Sequence, residues 1–178
     1  QEALLANPLL DFNRLLLVER GQSNLGLPAN WQSNSSLKTT GYDNRLAILS
    51  PVRPEGELQT LFRPDGGKFV GDVDLHFEGK RLLASMPGSH GRWQVFELNT
   101  DGSGLRELPL INEPDVDNYD ACYLPDGRIA FTSTAPFVGV PCVYGSSHVT
   151  NLYRLELDGS IRQLTVDQEH NWCPTLTN

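Results

Sequence analysis

The stretch that decides the fold is YDACYLPDGRIAFTSTAP, residues 119–136. Residues 119–124 are short, aromatic and apolar, Pro125-Asp126-Gly127 supplies a turn in which Gly127 can take a positive φ, and 128–134 alternates toward a second β-run. Strand, turn and strand make a β-hairpin.

The pattern recurs on both sides of that hairpin. Forty-seven positions upstream, FEGKRLLAS (residues 77–85) matches LPDGRIAFT (residues 124–132) in hydrophobic pattern and turn position. A second pair of runs follows each hairpin. Residues 93–98 and 105–108 flank Asp101-Gly102-Ser103-Gly104, and residues 152–157 and 161–164 flank Asp158-Gly159-Ser160. Four strands therefore make one unit. Earlier in the chain, 45–49 and 58–62 are joined through Pro54-Glu55-Gly56, with a candidate strand at 14–19 before them.

A repeat of roughly 40–50 residues carrying four strands is the sequence signature of a β-propeller blade. Helix-period stretches are absent apart from one turn near residues 2–5, so the predicted class is all-β: a partial β-propeller of four-stranded antiparallel blades. Residues 1–44 form a lead-in strand and long polar loop, 45–68 the back half of a blade, 69–114 and 115–169 two complete blades, and 170–178 the start of the next. Each blade buries its faces only against its neighbours, and a ring usually takes about four to eight of them. The chain is therefore expected to be a fragment of a larger ring.

Composition narrows the partners. With 22 acidic against 14 basic residues the formal charge is −8, and no run of Lys or Arg supplies a nucleic-acid patch. The longest apolar stretches are blade strands, too short to span a bilayer. Three cysteines, Cys122, Cys142 and Cys173, cannot all pair, and without any Cys-x-x-Cys there is neither a redox motif nor a covalent haem attachment site.

The connections sort by face. In an antiparallel blade the turns after the first and third strands lie on one face, here the short Asp-Gly turns, and the other connections lie opposite. Those are long and chemically loaded. His90 falls in 86–92, Asp115 and Asp117 in 109–118, Cys142 and His148 in 136–150, and His170 in 166–171, while Asp72 and Asp74 lead into the same face. Function is usually carried on loops held by a rigid scaffold, so this loop face, with Asp115, Asp117, Asp120 and His90, is the expected binding surface. A polar loop at 21–44, with Trp31 in its middle, is too long for an idle connection and is expected to be functional or packed on another part of the protein.

Two readings attach to the reactive side chains. Cys142, His148, His170 and Cys173 could converge as zinc ligands at one rim, or the cysteines are small packing residues and the histidines bond loop backbone. Asp115, Asp117 and Asp120 could hold a hard cation or set up acid and base chemistry, or they cap loops by accepting backbone amides. Tyr119 and Trp172 occupy equivalent places in successive blades and read as inter-blade packing.

The runs FVGDVDLHF (69–77), DVDNYDACYLPDGR (115–128) and HNWCPT (170–175) resemble the N-terminal propeller of hydrazine synthase alpha-subunit-like proteins, over most of the chain. A looser resemblance, through the strand, Asp-Gly and strand rhythm, extends to TolB-like propellers. The first resemblance implies a periplasmic or otherwise extracytoplasmic bacterial protein. In such a protein a propeller precedes further domains, and the parent assembly joins nitric oxide and ammonium chemistry to c-type haems, with a metal beside a haem. The chain departs from that pattern in lacking Cys-x-x-Cys-His, so any haem would belong to other domains or redox subunits. Its partners would be the remaining blades and C-terminal domains. Two functions follow: the propeller scaffold of such a redox protein, or a non-catalytic propeller binding a protein, peptide or glycan through its loop face.

Overall fold

The computed structural model describes residues 6–7, 11–29 and 31–176; the helical turn expected at 2–5 lies outside them. Among the described residues eleven strands form three antiparallel sheets. The first holds β1 (Leu15–Arg20), β2 (Asn44–Ser50) and β3 (Glu57–Phe62) in that order. The second holds β4 (Gly71–Leu75), β5 (Arg81–Pro87), β6 (Trp93–Asn99) and β7 (Arg106–Glu107). The third holds β8 (Asn118–Tyr123), β9 (Ile129–Ser133), β10 (Asn151–Leu155) and β11 (Ile161–Gln163). Each sheet is one blade of a partial propeller. The lead-in strand β1 pairs with β2 along its whole length, so the first blade has three strands and the described residues between them, 21–29 and 31–43, become a connection within it.

Why the blades stand face to face is written in β5. Residues 82–87 are buried throughout, and period-two alternation divides them between two cores. Leu82, Ala84 and Met86 join Leu46 of β2, with Leu16 and Leu61 packed against them, while Leu83 joins Val95, Ala121, Tyr123, Ile129 and Phe131. One strand thus serves as a wall of both inter-blade cores. A third cluster, Tyr42, Phe69, Trp93 and Tyr119, runs across all three blades at the loop face. Its rings meet edge to face, Tyr42 with Phe69 at 5.2 Å and Phe69 with Trp93 at 4.9 Å.

The turn face is built from repeated side-chain-to-backbone bonds. Asp101 accepts from the Ser103 amide at 2.9 Å, Asp158 from the Ser160 amide at 2.9 Å, and Asp126 from the Arg128 amide at 3.2 Å. Gly127 and Gly159 sit at φ 86° and 84°. The turn between β4 and β5 is one residue longer than that between β8 and β9. Its carbonyl-to-amide closure therefore runs from Arg81 to His76, against Arg128 to Leu124, and Gly79, not Lys80, matches Gly127.

A Cβ on Gly127 would touch only Leu157 at an ordinary 3.5 Å, so the cost of a side chain there is conformational. Gly127→Ala should lower stability by about 1–2 kcal/mol without disturbing the blade, read as a lower urea midpoint with an unchanged far-ultraviolet spectrum.

Candidate functional site

The loop face gathers at the first strands of the blades. In both β4 and β8 the pairing slips by one residue, between Gly71 and Asp74 and between Tyr119 and Cys122, and the extra residue makes a bulge. Asp72 and Asp120 occupy these bulges with φ 47° and 53°, and Cys173 takes φ 51° at the corresponding place after β11. Aspartate tolerates the left-handed region better than most residues, because its short side chain bonds locally. The bulges bring these side chains together. Burial and then the Asp120 charge push the Asp72 carboxyl up to about 6, against bonds from Ser85 and Asn34 that favour its ionised form. Asn34 Nδ2 donates to Asp72 Oδ2, the Asp120 amide donates to Ser85 Oγ at 2.8 Å, and the Cys173 amide donates to Asp120 Oδ2. Burial also raises Asp120 and Asp74, and the latter accepts from the Tyr123 amide at 2.9 Å.

Residues 21–29 and 31–43 cross this face as a strap. Beyond Asn34 it is held at Trp31, whose carbonyl faces His170 Nε2 at 3.2 Å, while His170 Nδ1 accepts from the Thr150 amide at 3.2 Å. That pair of contacts fixes the imidazole with its proton on Nε2, and Trp172 stacks on it at 4.8 Å. Arg20 lies over Phe69 at 4.3 Å, and burial lowers its guanidinium while Asp72 partly restores it.

The other expected site residues play quieter parts. Asp117 is buried and accepts from the Trp93 amide at 3.0 Å and from Arg92 Nη2 at 2.9 Å, joining the second blade to the third. Asp115 is exposed and gives only its carbonyl to Arg92. His90 is exposed in the Ser89–Gly91 turn at φ 58°.

Cys142, His148, His170 and Cys173 share the face without forming a cluster. Among the described residues no group of three or more His, Cys, Asp and Glu side chains is arranged to hold a metal ion. Cys142 lies exposed in the turn Pro141–Val143, and His148 pairs with Gly139 and sets its ring edge against Phe137 at 5.8 Å. Both ring nitrogens of His170 are engaged by protein. Burial, reinforced by Asp120, pushes the Cys173 thiol up to about 11. Cys122 is pushed up to about 11 as well, by burial and then Asp74.

Neither a protein-family model nor a curated protein matches the sequence. Solved structures do match. TolB from Acinetobacter baumannii is 17% identical with TM-score 0.50, covering 72% of this chain and 28% of that one. A putative TolB from Agrobacterium tumefaciens is 17% identical with TM-score 0.51, covering 74% and 41%. An oligogalacturonate lyase in complex with manganese is 16% identical with TM-score 0.53, covering 86% and 38%. The fold is that of a TolB-like propeller. This propeller spans less than half the length of each of those chains, and at such identity the likeness concerns fold alone.

An acid that binds its proton more tightly in the folded chain loses its contribution to stability as pH rises. For Asp72 the window runs from its ordinary 3.8 to about 6. Asp72→Asn keeps an oxygen for Asn34 and removes the titration. The variant should gain on the parent in urea unfolding at pH 8 and match it at pH 4; an equal difference at both would show that Asp72 does not titrate in this window.

Proposed function

We propose that this propeller is a scaffold, the propeller part of a larger extracytoplasmic redox protein of the hydrazine synthase alpha-subunit-like kind, with its other domains closing on the loop face. The observation that carries this is the loop between β9 and β10. Residues 135–150 contain no Asp, Glu, Lys or Arg, although charged residues make up 20% of the chain. Phe137, Val138 and Tyr144 stand 48%, 37% and 101% exposed. The loop is not slack. Amides of Val140, Gly145 and Val149 bond the carbonyls of Ser147, Val140 and Val138 at 2.8, 3.0 and 2.7 Å, which fixes the shape in which its apolar groups are offered. A fixed, uncharged, partly aromatic surface suits burial against protein.

The scaffold role is positional. A c-type haem is held covalently through Cys-x-x-Cys-His, and the residues present do not fit it, so redox chemistry in such a parent would run on groups supplied by its other domains. What these residues do is hold a face rigid. The buried Asp117 bonds and the aromatic cluster keep the loops of neighbouring blades in fixed relation.

Hydrogen exchange tests the docking directly. Amides across 135–150 should exchange more slowly in the full-length parent than in this chain alone, and equal rates would overturn the loop as a covered surface. Substituting Phe137→Ser with Tyr144→Ser should leave the isolated chain within about 0.5 kcal/mol of the original while abolishing that protection. A parent without Cys-x-x-Cys-His and without haem absorbance would remove the redox half of the proposal and leave the scaffold half standing.

A further inference from the structure

The turn face carries a feature that the loop-face reading does not use. Between the second and third blades lies a cleft of about 260 Å³, and beside it a second, more open one of about 590 Å³; they share Glu156 and Leu157 and so form one groove. Five of the chain's fourteen basic residues line it, Arg81, Arg106, Arg128, Arg154 and Arg162, against four of its twenty-two acidic ones. In a chain of net charge −8 this is a local reversal of sign.

The acids in the groove are already engaged. Glu97 is 8% exposed and accepts from Arg106 Nε at 3.0 Å and the Tyr123 hydroxyl at 2.9 Å, with Arg81 at 3.8 Å. Asp126 is held by Arg128, which lowers its carboxyl to about 2. Glu156 takes Arg154 at 2.5 Å and Arg128 at 3.3 Å, and Asp158 takes Ser160. The bases are not all matched. Arg162 lies directly opposite Arg154 across β10 and β11, a like-charge pair that costs stability unless something compensates it. Arg154 has Glu156; exposed Arg162 has no polar partner among the described residues. Arg106, at the other end, gives Nε and Nη2 to Glu97 and keeps Nη1 for a ligand, on a side chain 56% exposed.

We propose that this groove binds a peptide segment in which carboxylate and apolar side chains alternate. Free guanidinium donors at Arg106 and Arg162 recognise the carboxylates, and Pro109, Leu155 and the 76% exposed Leu157 take the apolar side chains. A polyuronate would need aromatic platforms, and the single aromatic lining the groove, Tyr123, is 3% exposed.

The test is fluorescence anisotropy of a labelled short peptide of alternating Asp and Leu against this chain. Saturable binding that weakens with salt is expected, and Arg162→Ala or Arg106→Ala should each weaken it about tenfold, the worth of one charged hydrogen bond. Arg162→Ala should leave the unfolding midpoint unchanged or raised, which separates lost binding from lost fold. Arg45→Ala, on the first blade, should bind as the original does. Absence of binding at millimolar peptide, indifference to both groove variants, or tighter binding of trigalacturonate or of an alternating Lys and Leu peptide would each overturn the proposal. The outcome is independent of the loop 135–150, since Phe137→Ser with Tyr144→Ser leaves the groove intact.

Discussion

Everything in this structure depends on a sheet that has no outside. A four-stranded blade is apolar on both faces, and β5 shows the consequence at single-residue resolution: Leu82, Ala84 and Met86 need the first blade, Leu83 needs the third, and neither set is buried without its neighbour. Losing a full-size aliphatic side chain from either row would cost about 2–5 kcal/mol, a large share of the stability of a domain this size. The polar bonds that cross between blades are placed where this apolar contact has already excluded water. Asp117 between Trp93 and Arg92 is an example, a buried charge tolerable only because its acceptors are filled.

The fold was legible because its determinants are local. Alternation and Asp-Gly turns each act over a few positions and recur at a period near 47 residues, and the two full blades follow them strand for strand. Boundaries shifted where tertiary context decides. Residues 105–108 read as a strand but pair only at Arg106–Glu107, and the candidate at 14–19 proved to be a full partner of β2 across a long connection.

The site was legible only in part. Asp120 was singled out among the loop-face acids, and Asp72 as leading into that face, yet their shared role rests on a bulge, and a one-residue slip in pairing leaves no mark in composition. Their equal placement in two repeats was the available signal. Asn34 and Ser85, which bond around them, carried none, since each becomes relevant through a partner more than thirty residues away. The four proposed zinc ligands share a face as the topology requires. They were not gathered because the face is built of several separate loops, and shared topology sets no distance within it.

The strap has a bearing on how the chain reaches this structure. Trp31 meets His170 across a separation of 139 residues, whereas most blade contacts join strands adjacent in sequence. Loop-closure entropy makes so distant a contact late, so the blades can assemble successively from the N-terminal side while the strap waits for the third blade's far end to exist. During synthesis, Tyr119 and its neighbours beneath the strap would remain wet until the last of these residues had emerged, and the order of folding would run against the order of the sequence at that one place.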